Sequence, residues 1–116
     1  MQEKRRYERK PVDLAVEFTS GKGGKPVDFA VEFTSGKGER MAGVCRDLSL
    51  GGMHIQTQSP PPYASKVTVY VVFPGAKSPS VLPGVVRWTK PGEMGVQFDM
   101  LGARETHAIT QALRGQ

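Results

Sequence analysis

The 116-residue sequence has no apolar run near the ~20 residues that a membrane-spanning helix needs. Its charged first residues are followed by no apolar segment of the kind found in secretory signals. Cys45 is the only cysteine, which rules out a disulfide within the chain and a metal cage of several cysteines. We therefore expect a soluble, cytoplasmic protein without membrane contact, in which Cys45 is a small apolar strand residue.

Motifs for catalysis are equally scarce. The two histidines, His54 and His107, have no acidic residue at the spacing of a metal site or a catalytic triad, so both are interpreted as surface residues. The glycine- and lysine-rich turns at 19–24 and 34–39 lack the Gly-x-x-x-x-Gly-Lys-Ser/Thr order of a phosphate-binding loop. The sequence therefore predicts a protein that is not an enzyme and that uses no metal or cofactor.

Glycine, proline and valine are abundant instead. Fourteen glycines and nine prolines separate short valine-rich runs, a composition typical of all-β domains. A chain of this length forms one domain, 1–116, with a modest core. The formal net charge of +5 favours a polyanionic partner, although charge alone does not distinguish a nucleotide from a nucleic acid.

Alternation of apolar and polar residues predicts the strands. Strict alternation from Val12 to Phe18 indicates a half-buried first strand, which follows a basic arm of residues 1–10. The segment 40–102 supplies the rest of the predicted sheet, with strands at 42–46, 53–57, 66–73, 81–89 and 94–98. Glycine and proline disappear from 103 to 114, where apolar residues at helical spacing predict one short helix.

One 15-residue segment is written twice. Residues 10–24 (KPVDLAVEFTSGKGG) recur as residues 25–39 (KPVDFAVEFTSGKGE), with 13 of 15 positions identical. Two units are too few for a solenoid, so the pattern indicates a tandem duplication of the first strand and its turn. Two equivalent strands then compete for one place in the sheet, and one is spare. The shorter loop after the second copy favours that copy by roughly 0.9 kcal/mol of closure entropy.

Two short polar segments carry the candidate binding residues. Arg5 and Arg9 lie four residues apart on the arm, and the planar fork of arginine donors can bracket a phosphate or the edge of guanine. Asp47 can accept hydrogen bonds from guanine N1 and N2, Ser49 offers a hydroxyl, and Gly52 allows close backbone approach. Together the two segments indicate a site for a phosphorylated guanine ligand.

These five residues also match a known signature. Arg-x-x-x-Arg on an N-terminal arm, followed after one strand by Asp/Asn-x-Ser-x-x-Gly, resembles the PilZ domain, the bacterial receptor module for cyclic di-GMP. The resemblance extends through the strand opened by Pro11 and the strands at 84–88 and 95–98, and it covers nearly the whole chain apart from one repeat copy. It implies a six-stranded antiparallel β-barrel with a short C-terminal helix, acting as a non-catalytic sensor of cyclic di-GMP. In some members an aromatic residue on a late strand stacks on a base, and Trp88 is the candidate here.

The repeat departs from the family pattern because it inserts 15 residues between the two parts of the signature. Arg5 and Arg9 adjoin the first copy, whereas Asp47 follows the second, so the copy in the sheet decides whether the site is assembled. We therefore expect register switching on ligand binding, or strand exchange that gives a homodimer. Two alternatives stay open: a basic nucleic-acid-binding barrel, which is less favoured, and a protein-interaction module without ligand. A downstream protein partner is expected, and the sequence does not identify it.

Overall fold

A computed structural model of the chain describes residues 24–36 and 38–115. This part of the chain contains six strands and one helix. They are β1 Lys25–Ser35, β2 Arg40–Leu48, β3 Gly52–Gln56, β4 Lys66–Val71, β5 Ser80–Lys90, β6 Glu93–Phe98 and α1 Ala103–Gly115. Within the described residues, no helix has the length and apolar character needed to cross a membrane.

The six strands close into an antiparallel barrel in the order β1-β2-β3-β6-β5-β4. Four of the six pairings join strands that are consecutive in the chain, and β3 with β6 and β4 with β1 complete the circle. The closing pair is short, since only residues 32–35 of β1 pair with residues 67–70 of β4. The predicted six-stranded antiparallel barrel with one C-terminal helix is confirmed.

The first barrel strand is the second copy of the repeat. Its alternation places Val27, Val31 and Phe33 in the core, where all three are buried. Phe29 is partly buried, and its ring meets Phe73 edge-on with 5.7 Å between the ring centroids. Since edge-to-face aromatic pairs stabilise by about 0.5–1.5 kcal/mol beyond their buried area, Phe29 favours the second copy in this position.

A hydrogen bond attaches the start of β1 to α1, and a short loop joins its end to β2. At its start, Lys25 Nζ donates a 2.6 Å hydrogen bond to the carbonyl oxygen of Leu113, near the C-terminal end of α1. At its end, the loop 36–39 leads directly into β2. Residues 10–23 of the first copy and the basic arm 1–10 lie outside the described residues.

Inward-facing side chains from every strand and from α1 form one apolar core. Its largest fully buried members are Phe33, Phe73, Leu48, Met53, Ile55, Leu82, Met94, Ile109, Val69, Val86 and Val96. Cys45 is fully buried among them, and this burial raises the pKa of its thiol to about 12, so it remains a neutral, small apolar residue as expected. Gly84 of β5 packs closely against the paired strand β6. A Cβ at this position would lie only 2.7 Å from the carbonyl oxygen of Gln97, too close for any side chain without a shift of the backbone.

Candidate ligand-binding site on the outer face of the barrel

A β-bulge in β2 turns Asp47 to the outer face. The pairing of β2 with β3 skips Arg46, because Cys45 pairs with one residue of β3 and Asp47 pairs with the next. Cys45 and Leu48 are both fully buried, three positions apart instead of the even spacing of a regular strand. Without the extra residue, Asp47 would face the core together with Cys45. The sequence predicted a strand that ends at residue 46, whereas the strand extends to Leu48 and includes Asp47.

A second β-bulge, in β5, turns Trp88 to the outer face. The pairing of β5 with β6 skips Arg87, which lies between the buried Val86 and Trp88. Arg87 is fixed beside the bulge, since its Nε donates a 2.5 Å hydrogen bond to Oε1 of Gln97 on β6. Plain alternation would have placed Trp88 inside the barrel with Val86, and the bulge places it outside.

Asp47 and Trp88, which the two bulges turn outward, belong to one lateral row, a series of directly paired residues that runs across five strands. Asp47 pairs with His54, His54 with Gly95, and Gly95 with Trp88, while Pro26 of β1 pairs with Asp47 on the other side. Directly opposed residues share a face of a sheet, so the row lies on the outer face. Gly95 contributes no side chain, which lets the rings of His54 and Trp88 approach across it.

The corner between β2 and β3 is shaped by Ser49. Its backbone N–H donates a 2.9 Å hydrogen bond to the carbonyl oxygen of Gly52, and its Oγ accepts 3.2 Å hydrogen bonds from the N–H groups of Gly51 and Gly52. The Gly51 carbonyl oxygen in turn accepts from the N–H of Phe98 at 2.8 Å, which anchors the corner to β6. The Ser49 hydroxyl therefore holds the corner in shape beside Asp47.

Asp47 carries an incompletely satisfied carboxyl group. Only 8% of the residue is exposed, and Oδ1 is fully buried with no hydrogen-bond partner among the described residues. Burial raises the pKa of Asp47 above its ordinary value, although the nearby His54 and the backbone N–H of Leu48 act in the opposite direction. A buried acceptor without a donor is costly to a fold, so this oxygen is a place where an incoming donor would be favoured.

His54 and Glu93 are site residues that sequence reasoning missed. His54 was interpreted as a surface histidine without an acidic partner, yet its Nε2 lies 2.6 Å from Oε1 of Glu93 and its side chain is mostly buried. Its ring contacts Trp88 with 5.3 Å between the ring centroids, and Lys90 Nζ lies 5.5 Å from the centroid of the indole ring. Only the pairing of β3 with β6 brings Glu93 near, and no local spacing encodes that pairing. His107 is exposed on α1, as predicted.

The structure therefore brings four of the six predicted site residues to one region. Asp47, Ser49 and Gly52 lie at or beside the β2–β3 corner, and Trp88 lies on the same outer row as Asp47. Arg5 and Arg9 lie outside the described residues. Among the described residues, no group of three or more histidine, cysteine, aspartate or glutamate side chains is arranged to hold a metal ion.

Comparison with known proteins shows the family to which the chain belongs. The PilZ domain family matches residues 3–115, nearly the full sequence. The chain belongs to the PilZ family. Its barrel is also similar to the crystal structure of the PilZ domain of CeSA from a cellulose-synthesizing bacterium, with a TM-score of 0.66 and 20% sequence identity. The similarity covers 79% of this chain and 95% of the other, and no curated protein matches the sequence.

PilZ domains are in general non-catalytic receptors for cyclic di-GMP. At 20% identity the solved PilZ domain supports the barrel architecture alone. The assignment of ligand contacts to individual residues therefore depends on the geometry of this chain.

Proposed function

We propose that this PilZ domain is a cyclic di-GMP receptor that binds the dinucleotide on the outer face between Asp47 and Trp88. The observation that carries the proposal is the buried Oδ1 of Asp47, which has no donor among the described residues and lies on the same lateral row as an aromatic ring. Guanine supplies N1–H and N2–H donors for such an acceptor and a flat purine surface for an indole.

In this proposal the β2–β3 corner forms one wall of the site. Asp47 accepts from the guanine edge, while Ser49 keeps the corner closed through its hydrogen bonds to Gly51 and Gly52. Gly52 is buried at the β2–β3 corner and has no side chain that would obstruct the ligand. Trp88 stacks on a base at the other end of the row.

Arg5 and Arg9 form the opposite wall. Their guanidinium groups pair with the phosphates and with the O6/N7 edge of guanine, because the arginine fork fits both acceptors in a bidentate way. In the structure, however, the strand begins with Lys25 of the second copy. The residues five and one positions before Lys25 are Ser20 and Gly24, not arginines. The arginines occupy those two positions only with respect to Lys10 of the first copy.

We therefore include a register change in the proposed function. The first copy supplies the same residues as β1 at every inward position except Leu14 in place of Phe29. Cyclic di-GMP favours the register with the first copy in the sheet, because that register brings Arg5 and Arg9 next to the outer face. A ligand shifts such an equilibrium only by its difference in affinity for the two states.

Isothermal titration calorimetry with cyclic di-GMP tests the proposal against the two alternatives. A guanine site binds cyclic di-GMP and rejects cyclic di-AMP. A nucleic-acid-binding barrel would bind many oligonucleotide sequences with an affinity that falls steeply with salt. A protein-interaction module without ligand would give no heat with either compound. Either of the last two results would overturn the proposed function.

Variants at both walls locate the site within the same experiment. Arg9→Ala is expected to lower the affinity for cyclic di-GMP at least about tenfold, since a charge-assisted bidentate contact with the ligand is lost. Asp47→Ala is expected to lower the affinity similarly and to weaken discrimination against cyclic di-AMP. The matched controls Arg104→Ala and Asp99→Ala remove exposed charges elsewhere and leave the affinity unchanged. Parent-like binding by Arg9→Ala or Asp47→Ala would remove that residue from the site.

A further inference from the structure

We infer that His54, anchored by Glu93, is a positioning residue that sets the orientation of Trp88 on the outer face. The inference about ligand affinity rests on the proposed function, whereas the inference about the indole concerns the ligand-free protein. His54 lies between Asp47 and Trp88 in the lateral row, so it joins the two ends of the proposed site.

The hydrogen bond to Glu93 fixes the imidazole ring. Nε2 of His54 lies 2.6 Å from Oε1 of Glu93, and an ionised carboxylate only accepts hydrogen bonds, so Nε2 carries the hydrogen. Both side chains are largely shielded, with exposed fractions of 21% for His54 and 33% for Glu93. A short, charge-assisted hydrogen bond between partly buried groups restricts the rotation of both side chains.

The fixed imidazole then limits the freedom of the indole. The rings of His54 and Trp88 lie at an interplanar angle of 53°, with 5.3 Å between their centroids. Gly95 is the residue between them in the row, so the two rings meet without an intervening side chain. An indole whose orientation is already set loses less conformational freedom when it stacks on a base. The protein therefore binds the stacked ligand more tightly.

Trp88 is the only tryptophan in the chain, so its fluorescence reports this contact directly. We expect His54→Ala to lower the fluorescence anisotropy of the ligand-free protein and to change the emission maximum, because the indole loses its neighbour. His107→Ala, which removes the exposed histidine of α1, is the matched control and leaves both quantities at the parent values. A His54→Ala spectrum and anisotropy identical to those of the parent would overturn the inference.

Two further variants separate the ring contact from the hydrogen bond. His54→Phe retains a ring beside Trp88 and loses the donor to Glu93, whereas His54→Gln retains a donor and loses the ring. We expect intermediate anisotropy for both, with His54→Ala lowest. Circular dichroism and thermal melts confirm that the compared proteins are folded. Equal anisotropy in all folded variants would show that His54 only contributes to the barrel and would overturn the positioning role.

The affinity for cyclic di-GMP tests the consequence for binding. His54→Ala is expected to weaken binding at least about fivefold, and His54→Phe to restore part of that loss. Unchanged affinity of folded His54→Ala would overturn the role of His54 in the site. If the parent protein binds no cyclic di-GMP, the proposed function fails, and the anisotropy of the ligand-free variants still decides whether His54 positions Trp88.

Discussion

At the scale of single residues, Asp47 is held in an environment that opposes its charge. Its Oδ1 is buried without a donor in the described part of the chain, and the net effect of burial is to raise the pKa of the carboxyl group. Binding sites commonly retain such unsatisfied groups, because the ligand supplies the partner that the fold lacks. The same group therefore connects ligand affinity with the stability of the ligand-free barrel.

Asp47→Ala is expected to stabilise the ligand-free protein at neutral pH while it weakens cyclic di-GMP binding. Removing a buried acceptor without a partner relieves a desolvation cost of about 1–3 kcal/mol, part of which is offset by the lost hydrogen bond from the Leu48 N–H. A gain of about 1 kcal/mol would raise the melting temperature by roughly 4–8 °C in a domain of this size. Differential scanning calorimetry measures it, with Asp99→Ala as the control. A lower melting temperature would contradict the assignment of Asp47 as a strained acceptor.

The pH dependence of stability follows from the same pKa shift. Because the folded-state pKa of Asp47 is raised above its unfolded value, the folded protein binds the proton more tightly than the unfolded chain. The contribution of Asp47 therefore becomes less favourable as the pH rises from the unfolded pKa through the raised folded pKa. We expect the melting temperature of the parent to decline over that interval relative to Asp47→Ala. Parallel pH profiles of the two proteins would refute the shift.

At the scale of strands and helices, alternation predicted the barrel and missed its bulges. The apolar positions of β1, β4 and β6 follow a period of two, so the sequence located these strands, although β4 ends at Val71 and not at the predicted residue 73. The face of Asp47 and of Trp88 depends on one extra residue in each strand, and that residue is recognised only once the neighbouring strand is known. The His54–Glu93 contact escaped prediction for the same reason, since it depends on pairing between β3 and β6.

The proposed register change depends on the free-energy difference between two registers, one with the second copy as β1 and one with the first. With the second copy as β1, the loop to β2 spans 36–39, whereas the first copy would require a loop of about 19 residues, which costs roughly 1.4 kcal/mol more in closure entropy. Replacing Phe29 with Leu14 also removes the edge-on contact with Phe73, worth about 0.5–1.5 kcal/mol. Cyclic di-GMP must therefore bind the first-copy register roughly 25- to 130-fold more tightly to make the two registers equally populated.

Deletion of residues 10–24 tests this balance. The deletion joins Arg9 directly to Lys25 and so removes the choice of register while keeping the described barrel. We expect the variant to bind cyclic di-GMP roughly tenfold to a hundredfold more tightly than the parent, because the cost of switching disappears.

In the parent, hydrogen-exchange protection should move from 27–33 to 12–18 when ligand is added. Tight binding with protection remaining on 27–33 would exclude the register change.

At the scale of the whole molecule, the repeat also offers a route to association. In the proposed register change the place of β1 accepts either copy, and a first copy from a second chain would offer the same inward residues as one from the same chain. Within one chain the two copies are separated by a short glycine-rich segment, which gives the local copy an effective concentration in the millimolar range. Exchange between chains therefore becomes competitive only when the protein concentration approaches that range.

We expect a fraction of dimer that grows with concentration and becomes measurable by sedimentation near about 1 mM, where intermolecular exchange begins to match the local effective concentration. Val16→Asp is the sharp control, because Val16 corresponds to the buried Val31 and a charge there would prevent the first copy from entering any barrel. This variant leaves β1 intact, so it should melt like the parent and stay monomeric. A parent that sediments as a monomer at this concentration would rule out exchange, and a Val16→Asp protein that still dimerises would place the contact elsewhere on the barrel.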